Sequence, residues 1–285
     1  MRVGETVSRV ALRLAQAGLE DPRMESEFLV AGVLGISRPQ LYLERQTELA
    51  SEHAQRISET AARREARQPL AYAMGQQAFG DLLLNVTPAV LVPRPETELL
   101  VEKLVALLDT ASEAQIIADV GTGSGNIALS LARHRNVQTV YAIDLSPEAL
   151  AVARRNAARY DTARRCRWLC GDLLSALPEN LVLDSIVANL PYIRRGDLSS
   201  LAPEVRCEPR LALDGGPSGL ELIFRLIDQA PAFLSAGGML WLEVGYDQSD
   251  VVRRYLAAAP GWAPAVIYPD LSGIPRMVCA QRKES

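Results

Sequence analysis

The chain is expected to fold as an α/β protein, a doubly wound Rossmann-like parallel sheet preceded by a small helical bundle and a β-hairpin linker. Three features of the sequence lead there. The first 68 residues carry apolar positions at helical spacing and no strand pattern. Beyond Pro95, short apolar runs suited to buried strands alternate with helical stretches, which is the pattern of a parallel sheet covered on both faces. The first of those runs passes directly into the glycine-rich turn Gly121-Thr122-Gly123-Ser124-Gly125.

In the N-terminal stretch, Val3, Val7, Val10 and Leu14 recur on one helical face, and Gly18 ends that helix. Asp21-Pro22 opens the next with a cap and a helix-compatible proline, and Gly35 stops it. Ser37-Arg38-Pro39 begins a third helix, and a charged fourth covers 51–67. These helices make residues 1–68 an N-terminal helical domain. Residues 69–95 read as a linker, with Phe79-Gly80-Asp81 followed by Leu82-Leu83-Leu84 and Val86 forming a β-hairpin. Residues 96–285 form the doubly wound domain. Strands are expected at 116–120, 140–143, 167–169, 185–188 and 238–244, and helices at 126–133, 147–159, 220–234 and 248–258. Two last strands, 263–268 and 276–280, have no helix between them and should pair antiparallel at one edge.

The chain has 285 residues, 48% of them hydrophobic and 22% charged, enough for a large domain plus a small one. Its net charge of −4 argues against a protein that grips a nucleic-acid backbone. Cys166, Cys170, Cys207 and Cys279 match no zinc or redox spacing and read as buried apolar thiols in a reducing cytosol. No apolar run is long enough to span a bilayer, and the N-terminus lacks the apolar core of a secretory signal, so a cytoplasmic location without a membrane partner is expected. His53 and His134 read as surface residues of helices, no nucleophile stands near them, and no metal site is expected.

Ligands of such sheets bind at the carboxyl ends of the strands. The turn Gly121, Thr122, Gly123, Ser124, Gly125 allows a tight bend and close approach of a ligand. Its GxGxG pattern is neither the dinucleotide fingerprint nor a P-loop. Asp144, 21 residues after Gly123, ends the second strand and can accept bonds from both hydroxyls of a ribose. Asp172 follows the third strand, placed for the amino edge of an adenine, with Leu173 to pack on the ring. Together these strand ends describe an adenosine site without a diphosphate. S-adenosyl-L-methionine suits it better than NAD.

The fourth strand ends in Asn189-Leu190-Pro191-Tyr192. An amide or exocyclic amine is a poor nucleophile because its lone pair is delocalised. The side-chain oxygen of Asn189 and the backbone oxygen of Leu190 can each accept one hydrogen of an NH2 group. The nitrogen then faces a methyl donor, and the acceptor dipoles stabilise the charge that develops on it. Pro191 restricts the turn and Tyr192 can cover a planar substrate. A structural alternative is a turn that merely closes a strand. The expected catalytic residues are therefore Asn189, Leu190, Pro191 and Tyr192. The expected cofactor contacts are Gly121, Thr122, Gly123, Ser124, Gly125, Asp144, Asp172, Leu173 and again Asn189. Two other functions compete: an adenine exocyclic-amine methyltransferase acting on DNA or RNA, which needs a flipped base and a basic surface, and a binding scaffold without chemistry.

The chain resembles the peptide chain release factor glutamine N5-methyltransferases along nearly its whole length. The resemblance is carried by Pro69-Leu70-Ala71-Tyr72-Ala73-Met74-Gly75, by Leu91-Val92-Pro93-Arg94-Pro95-Glu96-Thr97-Glu98, and by the stretch from Asp119 to Gly125. It continues through Glu208-Pro209-Arg210-Leu211-Ala212-Leu213-Asp214-Gly215-Gly216 with Gly219-Leu220, and through Asp270-Leu271-Ser272-Gly273-Ile274-Pro275-Arg276. It implies a methyltransferase fold, methylation of the glutamine in the Gly-Gly-Gln motif of release factors, and S-adenosyl-L-homocysteine as the second product. It also implies that the N-terminal helices dock the release factor. The partner is then a protein substrate with no stable nucleic acid, and a monomer is expected. One position departs: the family's turn reads Asn-Pro-Pro-Tyr, and here its second residue is Leu190. Since a backbone oxygen is the contact, Leu190 is expected to be loosely packed and replaceable by proline.

Overall fold

A computed structural model describes residues 1–161 and 164–284; residue 285, the last of the expected catalytic stretch, lies outside the described residues. The chain separates into two compact units, Met1–Gln77 with Ala202–Cys207, and Ala78–Leu201 with Glu208–Ser285.

In the first unit α1 (Val3–Gln16), α2 (Pro22–Leu34), α3 (Arg38–Leu43) and α4 (Ser51–Glu65) pack together, and α5 (Leu70–Met74) follows. Val3, Val7, Val10 and Leu14 of α1 are buried against Leu29, Val30, Ile57 and Ala61, as the helical spacing requires. Gly35 closes α2 in the left-handed conformation. Asp21 precedes α2 but makes no side-chain cap, so Pro22 alone sets that start. Ser37 caps α3 by accepting the Gln40 amide, while the Gln40 side chain reaches back. The helix α5 was not anticipated: at five residues it is too short to show a period. The buried Arg64 guanidinium of α4 pairs with Glu25 at 2.6 Å and with Glu204 at 2.9 Å, so the distant segment 202–207 belongs to this unit.

The hairpin consists of β1 (Gln76–Phe79) and β2 (Leu82–Asn85). The second unit is built on a seven-stranded sheet. Its strands are β3 (Gln115–Val120), β4 (Val137–Asp144), β5 (Cys166–Cys170), β6 (Leu183–Ala188), β7 (Leu234–Glu243), β8 (Val266–Pro269) and β9 (Pro275–Gln281). They lie in the order β5-β4-β3-β6-β7-β9-β8. The pairings from β5 to β7 are parallel, and β9 runs antiparallel to both β7 and β8. The helices are α6 (Pro95–Thr110), α7 (Asn126–Ala132), α8 (Pro147–Ala157), α9 (Glu221–Gln229) and α10 (Ser249–Ala258).

Alternation along the strands divides the interior in two. Ala118, Ile186, Leu240 and Leu242 face a core with Ile223 and Leu226 of α9 and Val252 of α10. Ile117, Val187 and Trp241 face another with Leu100 and Leu104 of α6 and Leu129 of α7. The helix expected at 220–234 is shorter, because Pro231 offers no amide hydrogen; a 3-10 turn, Ala230–Ala232, ends it. Strand β7 accordingly begins at Leu234 rather than 238.

Cys166 and Cys279 are buried, and burial pushes both thiols up to about 12. Cys170 and Cys207, expected to be buried as well, are exposed. Cys170 ends β5 at the sheet edge, and Cys207 lies in a 3-10 turn, where no neighbouring layer covers them. His53 lies on α4, but His134 stands beyond the end of α7, half-buried, with Nε2 3.1 Å from Asp109.

Candidate active site

Strand register gathers the site. In the parallel sheet Val120 lies opposite both Ile143 and Ala188, so the residues that follow β3, β4 and β6 emerge side by side. Asp144 stands beside Cys170, which brings in Asp172, and Ala188 stands beside Leu242, which places Asn189 next to Glu243. These strand ends open on a cleft of about 300 Å³, within the range of small-molecule sites. Its wall includes Gly121, Thr122, Gly123, Ser124, Asp144, Asp172, Leu173, Asn189, Leu190 and Pro191. Of the residues expected from sequence, Gly125 and Tyr192 are not on it.

The loop after β3 is held from below by Asp119, which is fully buried. Its Oδ2 accepts from the Thr122 hydroxyl at 2.6 Å and from the Ala128 amide at 3.0 Å. Burial raises this carboxyl to about 7 against those two bonds. Gly121 has φ +78°, which favours glycine, and a Cβ there would stand 3.2 Å from Cδ2 of Leu190, a tight contact. Asp144 accepts from the amides of Gly123 at 2.8 Å and Ser146 at 2.9 Å, one on each oxygen. Each oxygen keeps one acceptor position for a ligand. Gly125 starts α7 instead of facing the cleft, packed on Ala153 and Trp168. Asp172 is paired with Arg225 at 2.6 Å, and Leu173 is buried at φ +51°.

On the other side the turn after β6 is fastened from three directions. Asn189 donates from Nδ2 to the Thr97 hydroxyl at 2.9 Å, and Thr97 donates to Glu243 at 2.7 Å. Burial raises Glu243 to about 7. Leu190, expected to be loosely packed, is only 4% exposed and belongs to the core beneath the sheet end. The Gln248 amide donates to the Tyr192 carbonyl at 2.8 Å, while burial and then Glu243 push the Tyr192 hydroxyl up to about 12. A loop from Leu213 to Gly219 clamps the far side. Ile193 donates to Leu213 at 3.1 Å and accepts from Gly215 at 2.9 Å, and Arg195 donates to Gly216 at 2.8 Å.

Several wall residues had no role in the sequence reading: Arg94, Thr97, Pro209, Leu211 and Leu222. Arg94 is joined to the buried Glu208, which also accepts the Val92 amide at 2.9 Å. The two stretches quoted for the resemblance, at 91–98 and 208–216, are thus bonded to each other beside the cleft. Their unusual residue pattern was the available signal. Glu243 also carried one, as the acidic end of an otherwise apolar strand.

Comparison with known proteins agrees with this geometry. Residues 5–75 match the family model described as PrmC N-terminal domain, and residues 117–207 match a methyltransferase domain. A methyltransferase from Pyrococcus furiosus superposes with a TM-score of 0.54 at 19% identity, covering 83% of this chain and 100% of that one. A T. thermophilus 16S rRNA methyltransferase in complex with AdoMet and guanosine gives 0.53 at 18% identity, covering 73% of this chain and 50% of that one. These two likenesses establish the fold. Curated relatives are nearer in sequence. The release factor glutamine methyltransferase of Moorella thermoacetica is 43% identical over 100% of both chains. The enzyme of the same name from Geobacter sulfurreducens is 39% identical, covering 93% of this chain and 91% of that one. With this identity sustained from the helical unit through the cleft to the last strand, the chain belongs to the release factor glutamine methyltransferases.

Proposed function

We propose that the protein transfers a methyl group from S-adenosyl-L-methionine to the side-chain amide nitrogen of the glutamine in the Gly-Gly-Gln motif of peptide chain release factors, leaving S-adenosyl-L-homocysteine. One observation carries this reading: the glycine loop, Asp144 and the Asn189 turn form the wall of a single cleft.

The residues present fit the cofactor. The Ser124 hydroxyl stands on the wall without a partner among the described residues, the Asp144 oxygens keep acceptor capacity, and the loop glycines keep side chains out of the approach. When bound, the cofactor supplies an electrophilic methyl. On our reading Gly121, Thr122, Gly123, Ser124 and Gly125 shape the loop that receives it. Asp144 accepts the ribose hydroxyls, and Asp172 and Leu173 border the adenine. Asn189 Oδ1 and the Leu190 carbonyl accept the two hydrogens of the substrate amide. That turns the nitrogen face toward the methyl and favours its pyramidal form. Both dipoles oppose the positive charge that grows there. Pro191 and Tyr192 limit the motion of the turn.

We further assign 1–68 to substrate docking, 69–95 to a linker and 96–285 to catalysis, in a monomeric cytoplasmic enzyme with no stable nucleic-acid partner. Methyl transfer from labelled cofactor to an intact release factor, a Gly-Gly-Gln peptide and DNA is the test. Label is expected on the glutamine of the factor and, more weakly, on the peptide. Label on DNA with none on the factor would establish the adenine amine as the substrate instead. Asn189→Ala should lower turnover ~10²–10³-fold with cofactor affinity nearly unchanged.

A further inference from the structure

Asn189 presents a symmetry problem. The two ends of its amide have nearly the same shape, and only one can accept hydrogens from a substrate NH2. With the amide reversed, the cleft would offer an NH2 group to another NH2 group. Some other part of the protein has to select the orientation.

The selection is visible in a short hydrogen-bonded chain. Glu243, the last residue of β7, is 1% exposed, and Thr97, in the first turn of α6, is also 1% exposed. Glu243 Oε2 accepts in the 2.7 Å contact between them, as a carboxylate or as the carbonyl oxygen of a carboxyl protonated on Oε1, so the contact takes the single hydrogen of the Thr97 hydroxyl. Thr97 can then only accept. Its 2.9 Å partner on Asn189 must be the donor end of the amide, Nδ2, and Oδ1 is left without a partner among the described residues. Glu243 makes no ion pair among the described residues, although a carboxyl at the end of an apolar strand is costly to bury. Burial, with Glu96, opposes its charged form, while the Thr97 hydroxyl, Arg276 and the Asn189 amide favour it.

We infer that Thr97 and Glu243 are positioning residues that lock the Asn189 amide with Oδ1 toward the substrate nitrogen; the inference rests on the role of Asn189 proposed above. Neither residue touches the reacting atoms. Each acts through Asn189.

The experiment is a double-mutant cycle on the full chain, reading kcat and KM on an intact release factor, cofactor affinity by calorimetry, and thermal unfolding. Thr97→Val keeps shape and removes the hydroxyl. It is expected to lower kcat by ~10–10²-fold, with KM and cofactor affinity within about twofold. Thr97→Ser restores the hydroxyl and should return kcat to within about threefold of wild type. In an Asn189→Ala background, Thr97→Val and Glu243→Gln should each change kcat by less than about threefold, because nothing remains to orient. If Thr97→Val unfolds the protein, Thr97→Ala takes its place in the cycle. A folded Thr97→Val enzyme with wild-type kcat would overturn the inference. So would an equal loss in both backgrounds, which marks an independent structural effect. Wild-type turnover by Asn189→Ala would instead remove the assigned role of Asn189, a failure distinct from that of Thr97.

Discussion

Leu190 is both part of the cleft wall and part of the core, and this joint position fixes what it tolerates. Its Cδ2 would stand 3.2 Å from a Cβ on Gly121, so the glycine loop and the catalytic turn meet closely at one side chain. Leu190→Ala should lower stability by about 2–5 kcal/mol, the usual cost of truncating a buried leucine. Leu190→Pro should lose most of the same packing and at least tenfold in turnover, since a turn that shifts misplaces Asn189. Chemical denaturation beside turnover on a release factor checks both. A fully active, fully stable Leu190→Pro enzyme would show that the leucine side chain is dispensable. Single residues were legible in sequence where their chemistry is local. The positive φ at Gly121 and the acidic strand end at Asp144 are read from residue type and place alone. The burial of Leu190 was not, because it depends on a core drawn from several strands and helices far apart in the chain, and a proline at the family's position suggests an open turn.

The loop from Leu213 to Gly219 behaves as an element, although it contains neither helix nor strand. Gly215 lies so close to the catalytic turn that a Cβ would stand 2.6 Å from the Pro191 carbonyl and 2.7 Å from that of Gly219. Both obstacles are backbone, so Gly215→Ala must displace the turn or the loop. Turnover is expected to fall ~10²-fold, while cofactor affinity stays near wild type because Asp144 and the glycine loop are untouched. Equilibrium binding measured alongside steady-state rates decides this, and an unchanged rate would mean that the loop does not brace the turn. The periodic elements were readable because apolar residues recur at strand or helix spacing. Helix α6 escaped despite Leu100, Val101, Leu104 and Leu108, since its start lies in a proline-rich stretch read as linker. The brace escaped because its bonds join residues about twenty positions apart with no period to reveal them.

Two buried carboxyls make the whole molecule sensitive to pH. Burial raises both Asp119 and Glu243 to about 7, well above the ordinary carboxylate range of about 4. Between those limits the folded chain holds protons that the unfolded chain has released. The contribution of each group to stability is therefore full in acid, falls as pH rises from about 4 through 7, and is flat above. Asp119→Asn cannot ionise, so its melting temperature relative to wild type should climb between pH 5 and pH 8. Parallel curves for the two proteins would show that Asp119 titrates as an exposed carboxyl does. At this scale sequence reading was clear about an α/β sheet behind a helical bundle. It could not see that residues 202–207 rejoin the bundle, since one ion pair between Arg64 and Glu204 spans 140 positions. A chain beginning at Pro69 should keep cofactor binding and lose most of its advantage on an intact release factor over a peptide. It also leaves Glu204 without Arg64 and Arg67. That same ion pair has a consequence in time. On a ribosome adding about 5–20 residues per second, the acid arrives roughly 7–28 s after the arginine. Through that interval the Arg64 guanidinium of the nascent helical bundle has Glu25 as its one carboxylate partner, beside the Gln68 carbonyl. Completion of the first-made unit therefore waits on residue 204, and a protease pulse during translation should cut the chain near Arg67 more readily until that residue has cleared the exit tunnel.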